Sequence, residues 1–318
     1  MKRFLFKAFV FLAPPIVLGV AWTAFVVFMD YRSYKASLVA PPGAEVMVCG
    51  DSQTNDALDP SIVHGLFNFS TAATTCDQDF MRLTDVLGAN RGRFSHVLLD
   101  VSPLKIGYTI DRPVSELNAA RVHALLHVYH RSDGGRPLGS VWALWRDVIC
   151  VRKFNEFRKS FLRGQAWRSS MAGAFDPDKD RGFLDPRYAE LALEDVAEKA
   201  DRVNGRPPAD VSLPIFDVLA RSIKLVREAG AVPVVTTMPL SRQLRNAIDT
   251  DRMAAFRAAT ASLADEMGVV WLDYLDLDLP DELWHDGNHL NRDGAKEFSV
   301  RFASDLGKLR STHGEAAP

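Results

Sequence analysis

The sequence has few cysteines, no excess charge of either sign and no repeat. Its three cysteines cannot all pair within one chain, so a disulfide framework does not hold the fold. Its 38 Lys and Arg are balanced by 40 Asp and Glu, which gives no support for nucleic-acid binding, a mode that needs a cationic excess. Its 20 Gly and 17 Pro follow no period, which excludes a collagen-like chain. The 318 residues, 47% of them hydrophobic, suffice for one large domain or two modest ones.

One long uncharged apolar run lies near the N-terminus, at residues 8–29. As a helix this run would measure about 33 Å, and the hydrocarbon core of a bilayer is about 30 Å thick. Lys2, Arg3 and Lys7 precede it, which favours a cytoplasmic N-terminus and an exported body. A cleaved signal peptide is the alternative, but the run is long for one and is followed by a poor cleavage site.

These features predict three N-terminal segments and the location of the domain that follows them. Residues 1–7 are cytoplasmic, residues 8–29 form a single-pass anchor in the inner or plasma membrane, and residues 30–44 are a linker. The anchor makes membrane lipid a partner of the protein, and the body that follows is extracytoplasmic, in the periplasm.

Five short apolar runs bounded by turn residues predict buried strands, at residues 45–49, 66–69, 96–101, 231–236 and 268–273. Helical patterns accompany them at residues 215–229, 252–267 and 292–309, and Asn291 is placed as the N-cap of the last. Strands that are apolar throughout belong to a parallel sheet covered on both faces. We therefore predict a doubly wound, three-layer α/β domain over residues 45–310, followed by a flexible tail at 311–318.

Residues from about 105 to 212 show no clear strand pattern and several helix-like stretches, which predict a helical insertion. Between Arg131 and Arg168, nine Lys or Arg and three acids are interleaved with aromatic residues. A basic aromatic helix can lie on an anionic membrane surface or hold an anionic polymer. An ordinary amphipathic helix with its aromatics in the core is the interpretation we favour.

Two polar segments follow predicted strands, at the sheet edge where α/β proteins place their sites. In Gly50-Asp51-Ser52 the glycine permits a sharp turn and leaves Ser52 at the start of a helix, with Asp51 holding the turn. The alternative is that Ser52 is merely an N-cap. After the last strand, Asp286 and His289 are three residues apart, so a carboxylate can hold one imidazole nitrogen while the other acts as a base.

With Gly50-Asp51-Ser52 near the start of the domain and Asp286-Gly-Asn-His289-Leu-Asn near its end, the chain resembles the SGNH (GDSL) hydrolases in their first and last sequence blocks. The resemblance implies a flavodoxin-like three-layer fold and a catalytic triad. Ser52 would be the nucleophile, His289 the general base and acid, and Asp286 the residue that orients His289.

Leu66 to Thr75 resembles the second block of the family, which supplies a backbone oxyanion donor. Ala73 takes the place of the usual glycine, and Ala72 is the alternative register. Only a backbone N–H is needed, so alanine is chemically acceptable.

The third block departs from the family. Asp100-Val-Ser102-Pro-Leu-Lys105 stands where the family has Gly-x-Asn-Asp, so the usual Asn donor is absent. Either Ser102 replaces it, or the backbone N–H groups of Ser52 and Ala73 form the oxyanion hole alone. Loss of one donor costs about 2.7–4 kcal/mol in other enzymes, which puts fast hydrolysis in doubt.

Together with the predicted anchor, the resemblance implies a membrane-anchored serine acyl-transfer enzyme, an O-acetyltransferase or acetylesterase that acts on an envelope or exported glycan. The resemblance makes a glycan or other hydroxyl acceptor and a membrane acyl-carrier protein its partners. The alternative is a catalytically silent module that binds glycan or scaffolds an acylation complex.

No cofactor and no metal are predicted. His123, His127 and His130 share a helix face but lack a glutamate that could act as a base beside a metal. A Cys49–Cys76 bridge is the one pairing to test, although buried free thiols are the favoured interpretation.

Overall fold

A computed structural model describes residues 35–71, 76–106, 186–206, 208–210 and 212–312, together with isolated positions in the first 21 residues. The chain divides into two compact units. One comprises Leu38–Asp111 and Gly173–Pro318, and the features below belong to it. The other comprises Met1–Ser37 and Arg112–Ala172, and its described residues are helical. Within the described residues no helix combines the length and the apolar character needed to cross a bilayer.

The larger unit is built on a five-stranded sheet in which every neighbouring pair of strands is parallel. The strands are β1 (Val46–Cys49), β2 (Leu66–Asn68), β3 (His96–Asp100), β4 (Val232–Thr237) and β5 (Val270–Asp273). Their order across the sheet is β2-β1-β3-β4-β5. This order reverses direction beside β1, so the segments after β1 and β3 open a crevice at the carboxyl edge, where α/β proteins bind their ligands.

Seven helices connect and cover the described strands. They are α1 (Ser52–Ala57), α2 (Cys76–Ala89), α3 (Pro186–Asn204), α4 (Pro214–Glu228), α5 (Arg242–Ala247), α6 (Thr250–Met267) and α7 (Arg292–Thr312). Two short 3₁₀ turns lie at Pro103–Lys105 and Asp281–Leu283. The Asp249 side chain caps α6 at its start, and Gly268 ends that helix in the left-handed conformation.

The helices cover both faces of the sheet, which gives an α/β arrangement consistent with three layers. On one face α1 packs against α7, over a core that contains Trp284, Phe298 and Phe302. On the other face α4 contacts β3 and β4 and packs against α2 and α6. The parallel sheet and its helical cover confirm the predicted α/β class.

All five predicted strands are present, and their ends differ from prediction by two residues or fewer. The largest difference is at β5, which begins at Val270 because Gly268 still belongs to the end of α6. Asn291 caps α7 as predicted, since its Oδ1 accepts from the backbone N–H groups of Asp293 and Gly294.

Several predicted segments lie wholly or mostly outside the described residues. These are the anchor at 8–29, the basic aromatic stretch at 131–168 and the end of the tail at 313–318. The described part of the predicted insertion contains the end of the 3₁₀ turn and helix α3. It contains no strand.

Candidate active site

Ser52 is placed by a tight turn between β1 and α1. Asp51 is the N-cap of α1, and its Oδ1 accepts a 2.8 Å hydrogen bond from the backbone N–H of Gln53. Gly50 is required by close packing, because a Cβ there would lie 2.5 Å from Thr54 Oγ1 and 2.7 Å from Asp100 Cβ. Ser52 is therefore the first residue of the helix and not its cap, as predicted for a side chain lifted out of the sheet edge.

The His289 loop is closed by its own backbone. Trp284 and Leu290 form an antiparallel bridge, and the N–H of His285 donates to the carbonyl of His289 at 2.8 Å. The Asp286 Oδ1 atom accepts from the backbone N–H groups of Asn288 and His289, each at 2.9 Å. Since the carboxylate is held by backbone groups of its own loop, its orientation is fixed before it meets the imidazole ring.

The structure brings the three predicted triad residues together. Ser52 Oγ lies 2.8 Å from His289 Nε2, and His289 Nδ1 lies 2.7 Å from Asp286 Oδ2. Ser52 and His289 are separated by 237 residues in the sequence. In this line Nδ1–H donates to the carboxylate, which leaves Nε2 free to accept the serine proton.

Lys199 of α3 contacts the carboxylate of this line from its other side. Lys199 Nζ lies 3.1 Å from Asp286 Oδ1 and 2.5 Å from Asp195 Oδ2. Burial alone would raise the pKa of Asp286, but the hydrogen bond and charge of His289 and the charge of Lys199 hold that pKa well below its usual range. These contacts favour the ionised form of Asp286.

The Ser102 hydroxyl is committed elsewhere, which argues against its predicted role as oxyanion donor. Ser102 is 1% exposed, and its hydroxyl donates to Gln53 Oε1 at 2.7 Å while accepting from the N–H of Leu104. A hydroxyl carries one proton, and here Gln53 receives it. Ser102 therefore acts as the N-cap of the 3₁₀ turn.

The backbone donors of the predicted oxyanion hole are only partly described. Within the described residues nothing accepts a hydrogen bond from the Ser52 backbone N–H, which starts α1. Ala73 and the alternative Ala72 lie outside the described residues. The N–H of Thr71 donates to the Gly50 carbonyl at 3.0 Å, so the chain leaving β2 reaches the nucleophile turn.

A buried ion cluster lies behind the nucleophile turn. Lys105 is 3% exposed, and its Nζ lies 3.2 Å from Asp79, 3.4 Å from Asp100 and 3.7 Å from Asp51. Burial raises the pKa of Asp100 to about 7, although the charge of Lys105 acts in the opposite direction. Since Asp51 caps α1, this cluster ties the third-block segment to the helix that begins with Ser52.

Two amide side chains complete the connections around Ser52. Gln53, which receives the Ser102 proton, also donates from Nε2 to the Asn288 carbonyl at 3.3 Å. It therefore joins the segment after β3 to the His289 loop. Asn288 Nδ2 lies 3.5 Å from His289 Nε2, on the side of the ring that faces Ser52.

Four residues of the site were not predicted from the sequence: Gln53, Asn288, Lys199 and Lys105. Gln53 and Asn288 adjoin residues that were singled out, and this adjacency was the available signal. Lys105 ends the segment recognised as a departure from the family pattern. Lys199 had no signal, because it is one of many charged residues of both signs in α3.

The cysteines and histidines add no second centre to the described part of the site. No disulfide joins Cys49 and Cys76, so the pairing left open by the sequence is not formed. Burial, followed by the charge of Asp79, raises the pKa of the Cys49 thiol to about 12, as for an inert core residue. His123, His127 and His130 lie outside the described residues.

Neither a family model nor a curated protein matches this chain. The functional argument therefore depends on the geometry of the site itself. A serine hydroxyl, an imidazole and an ionised carboxylate joined in one hydrogen-bonded line can generate a serine nucleophile.

Proposed function

We propose that this protein is a serine acyl-transfer enzyme of the SGNH type, with Ser52 as nucleophile, His289 as base and acid, and Asp286 as the residue that orients His289. The observation that supports it is the line of two short hydrogen bonds, 2.8 Å and 2.7 Å, through the His289 ring. A serine that served only as a helix cap would have no need of that line, and Asp51 already caps the helix.

In the first step His289 Nε2 takes the hydroxyl proton of Ser52 as its Oγ attacks the carbonyl carbon of an ester. The resulting oxyanion is stabilised by backbone N–H groups, among them that of Ser52 at the start of α1. His289 then returns the proton to the departing alkoxide, which leaves as an alcohol. Ser52 is left as an ester of the acyl group.

In the second step an acceptor hydroxyl gives its proton to His289 Nε2 and attacks the acyl-serine. Collapse of the tetrahedral adduct returns that proton to Ser52 Oγ and releases the acylated acceptor. Water as acceptor makes the protein an esterase, and a sugar hydroxyl makes it an O-acyltransferase. Asn288 Nδ2, 3.5 Å from Nε2, lies where it can donate a hydrogen bond to the acceptor oxygen.

The proposed substrate class rests on the predicted anchor and on the resemblance to membrane-tethered SGNH proteins that act on envelope or exported glycans. An apolar run at residues 8–29 with basic residues before it supports a membrane-anchored protein with its active domain in the periplasm. An acyl-transfer site held at that surface suits acetyl transfer to, or removal from, an envelope or exported glycan, supplied by a membrane acyl carrier.

The proposal is tested by labelling the purified full-length protein with a fluorophosphonate and locating the adduct by mass spectrometry. We expect one adduct on Ser52, absent in Ser52→Ala and at least a hundredfold slower to form in His289→Ala. Ser311→Ala, an exposed serine of α7, is the matched control and should label normally. A folded wild-type protein that neither labels on Ser52 nor hydrolyses p-nitrophenyl acetate would overturn the proposal.

Acetylesterase and O-acetyltransferase activity are separated by the product. Incubation with p-nitrophenyl acetate as donor and an oligosaccharide as acceptor yields acetyl-sugar from a transferase and acetate alone from an esterase. Omission of the oligosaccharide gives the background rate of hydrolysis.

A catalytically silent module is the second candidate, and one observation favours it. The third-block segment offers no free side-chain donor, because the Ser102 proton goes to Gln53. A module of this kind would bind the oligosaccharide without forming an adduct on Ser52, which the labelling experiment detects.

A further inference from the structure

Lys199 contacts the carboxylate of Asp286 but has no role in the proposed mechanism. Its side chain is 11% exposed and lies between the carboxylates of Asp195 and Asp286, with Nζ 3.1 Å from Asp286 Oδ1. Helix α3 approaches the His289 loop closely, since a Cβ at Gly287 would lie 2.9 Å from Val196 Cγ2. Lys199 therefore projects from a helix that is packed against the loop.

The position of this ammonium group changes the electrostatics of the triad. In a Ser-His-Asp triad the carboxylate stabilises the imidazolium that forms during the reaction. Here Asp286 is shared, with Oδ2 on His289 and Oδ1 near Lys199. A cation beyond the carboxylate offsets part of its charge and repels the imidazolium, so it favours the neutral ring.

We propose that Lys199 acts through Asp286 to keep His289 in its neutral, proton-accepting form. The site then stays active in a more acidic medium than it would without Lys199. This inference rests on the proposed acyl-transfer function. Its electrostatic part can be measured without any turnover.

The orientation of Asp286 does not depend on Lys199. The same Oδ1 atom accepts from the N–H groups of Asn288 and His289, and Oδ2 is held by the ring. Removing the ammonium group should therefore leave the carboxylate in place and change mainly the electrostatic potential around it. A role in geometry alone would predict the opposite pattern, with a lower maximal rate and an unchanged pH profile.

The other charged groups near His289 come from few described elements. The neighbouring loop carries His285 and Asp286, α3 carries Asp195 and Lys199, and the nucleophile turn carries Asp51, which is paired with Lys105. Helix α5 packs against α3, and its arginines pair with acids that follow β5: Arg242 with Asp278, and Arg245 with Asp276 and Asp278.

The test compares the full-length wild type with Lys199→Met, which keeps the length of the side chain and removes its charge. The His289 ring is titrated by NMR with labelled histidine, its signal assigned by loss in His289→Gln, and kcat/KM for p-nitrophenyl acetate is measured from pH 4.5 to 9. Removing a cation favours the protonated ring, so both midpoints should move up by about one unit. The rate on the high-pH plateau should not fall.

Three further variants separate charge from structure. Lys199→Arg should restore the wild-type midpoints, since it keeps the cation. Asp195→Asn removes the other carboxylate beside Lys199 and should move both midpoints down. Arg202→Met removes a cation from the same helix, at an exposed pair with Glu198, and should leave them unchanged.

The outcomes distinguish the two proposals. Unchanged midpoints in Lys199→Met, with or without a lower plateau, would overturn the role of Lys199. A wild type that does not turn over or label, but whose ring titration still moves with Lys199 and Asp195, would overturn the proposed function and leave the electrostatic coupling standing.

Discussion

Replacing Lys105 with methionine should destabilise the protein strongly and in a pH-dependent way. The substitution keeps an unbranched side chain of similar length and removes one buried charge. In the wild type that charge faces three carboxylates, Asp79 at 3.2 Å, Asp100 at 3.4 Å and Asp51 at 3.7 Å. The variant removes this cation from all three acids, although Asp79 keeps Arg82, whose Nη1 lies 3.5 Å from Asp79 Oδ1.

The magnitude follows from two opposing terms. Each pair at these distances is worth about 4–5 kcal/mol of attraction at an effective dielectric constant near 20. Most of this is offset in the wild type by desolvation, which costs several kcal/mol for each buried ion. In the variant the carboxylates keep their desolvation cost, but their attraction to Lys105 is lost. We therefore expect a loss of about 3–5 kcal/mol in the free energy of unfolding at pH 8.

The sign of the pH dependence is fixed by the carboxylates. Burial already raises the folded-state pKa of Asp100 to about 7, above the unfolded value near 4, and loss of Lys105 raises it further. A raised carboxyl pKa means that stability is full at low pH and is lost as pH rises through the folded pKa. The deficit of the variant should therefore be largest at pH 8 and smaller at pH 5.

The assay is urea unfolding of the full-length protein, followed by circular dichroism at pH 5 and pH 8. Lys308→Met is the matched control, because Lys308 is exposed and pairs at the surface with Asp305, so its loss should stay within about 0.5 kcal/mol. A Lys105→Met deficit below about 1 kcal/mol at pH 8, or one that grows toward pH 5, would refute the reasoning.

Three smaller changes test neighbouring features by the same unfolding assay. Gly50→Ala should lose about 1–3 kcal/mol and slow Ser52 labelling, because the new Cβ meets Thr54 and Asp100, whereas Gly88→Ala in α2 meets nothing and should gain up to about 1 kcal/mol. Asp100→Asn should flatten the fall in stability between pH 5 and pH 8, since the raised pKa of Asp100 contributes to that fall. Asn291→Ala should lose about 1–2 kcal/mol by uncapping α7.

The sheet and the meeting of the triad residues were predictable because both depend on local patterns. Continuous apolar runs identify parallel strands, and residues that follow parallel strands meet at one edge. Ser52 follows β1 and the His289 loop follows β5, so their proximity could be inferred with no knowledge of packing. The N-cap role of Asn291 is equally local.

The contacts of Ser102 and Lys105 could not be predicted, because they depend on where each side chain points in the folded protein. Ser102 was the natural substitute for the missing Asn, yet its single proton is taken by Gln53, which is 2% exposed. Lys105 follows an apolar strand, and a lysine in such a segment is expected at the surface. It is buried because three acids from different elements converge on it, a coincidence that no local pattern records.

The two buried lysines have a common role in the site. Lys105 pairs with Asp51, whose other oxygen caps the helix that begins with Ser52, and Lys199 pairs with Asp286, whose other oxygen holds His289. Lys199 therefore lies one carboxylate away from His289, and Lys105 lies one carboxylate away from the first turn of the helix that begins with Ser52. Among the described atoms, neither lysine contacts Ser52 or His289. Charge behind the carboxylate tunes a triad without occupying the space that an acyl group and its acceptor need. These ionic contacts lie behind both the proposed nucleophile and the proposed base, and they support the proposed enzyme rather than the silent module.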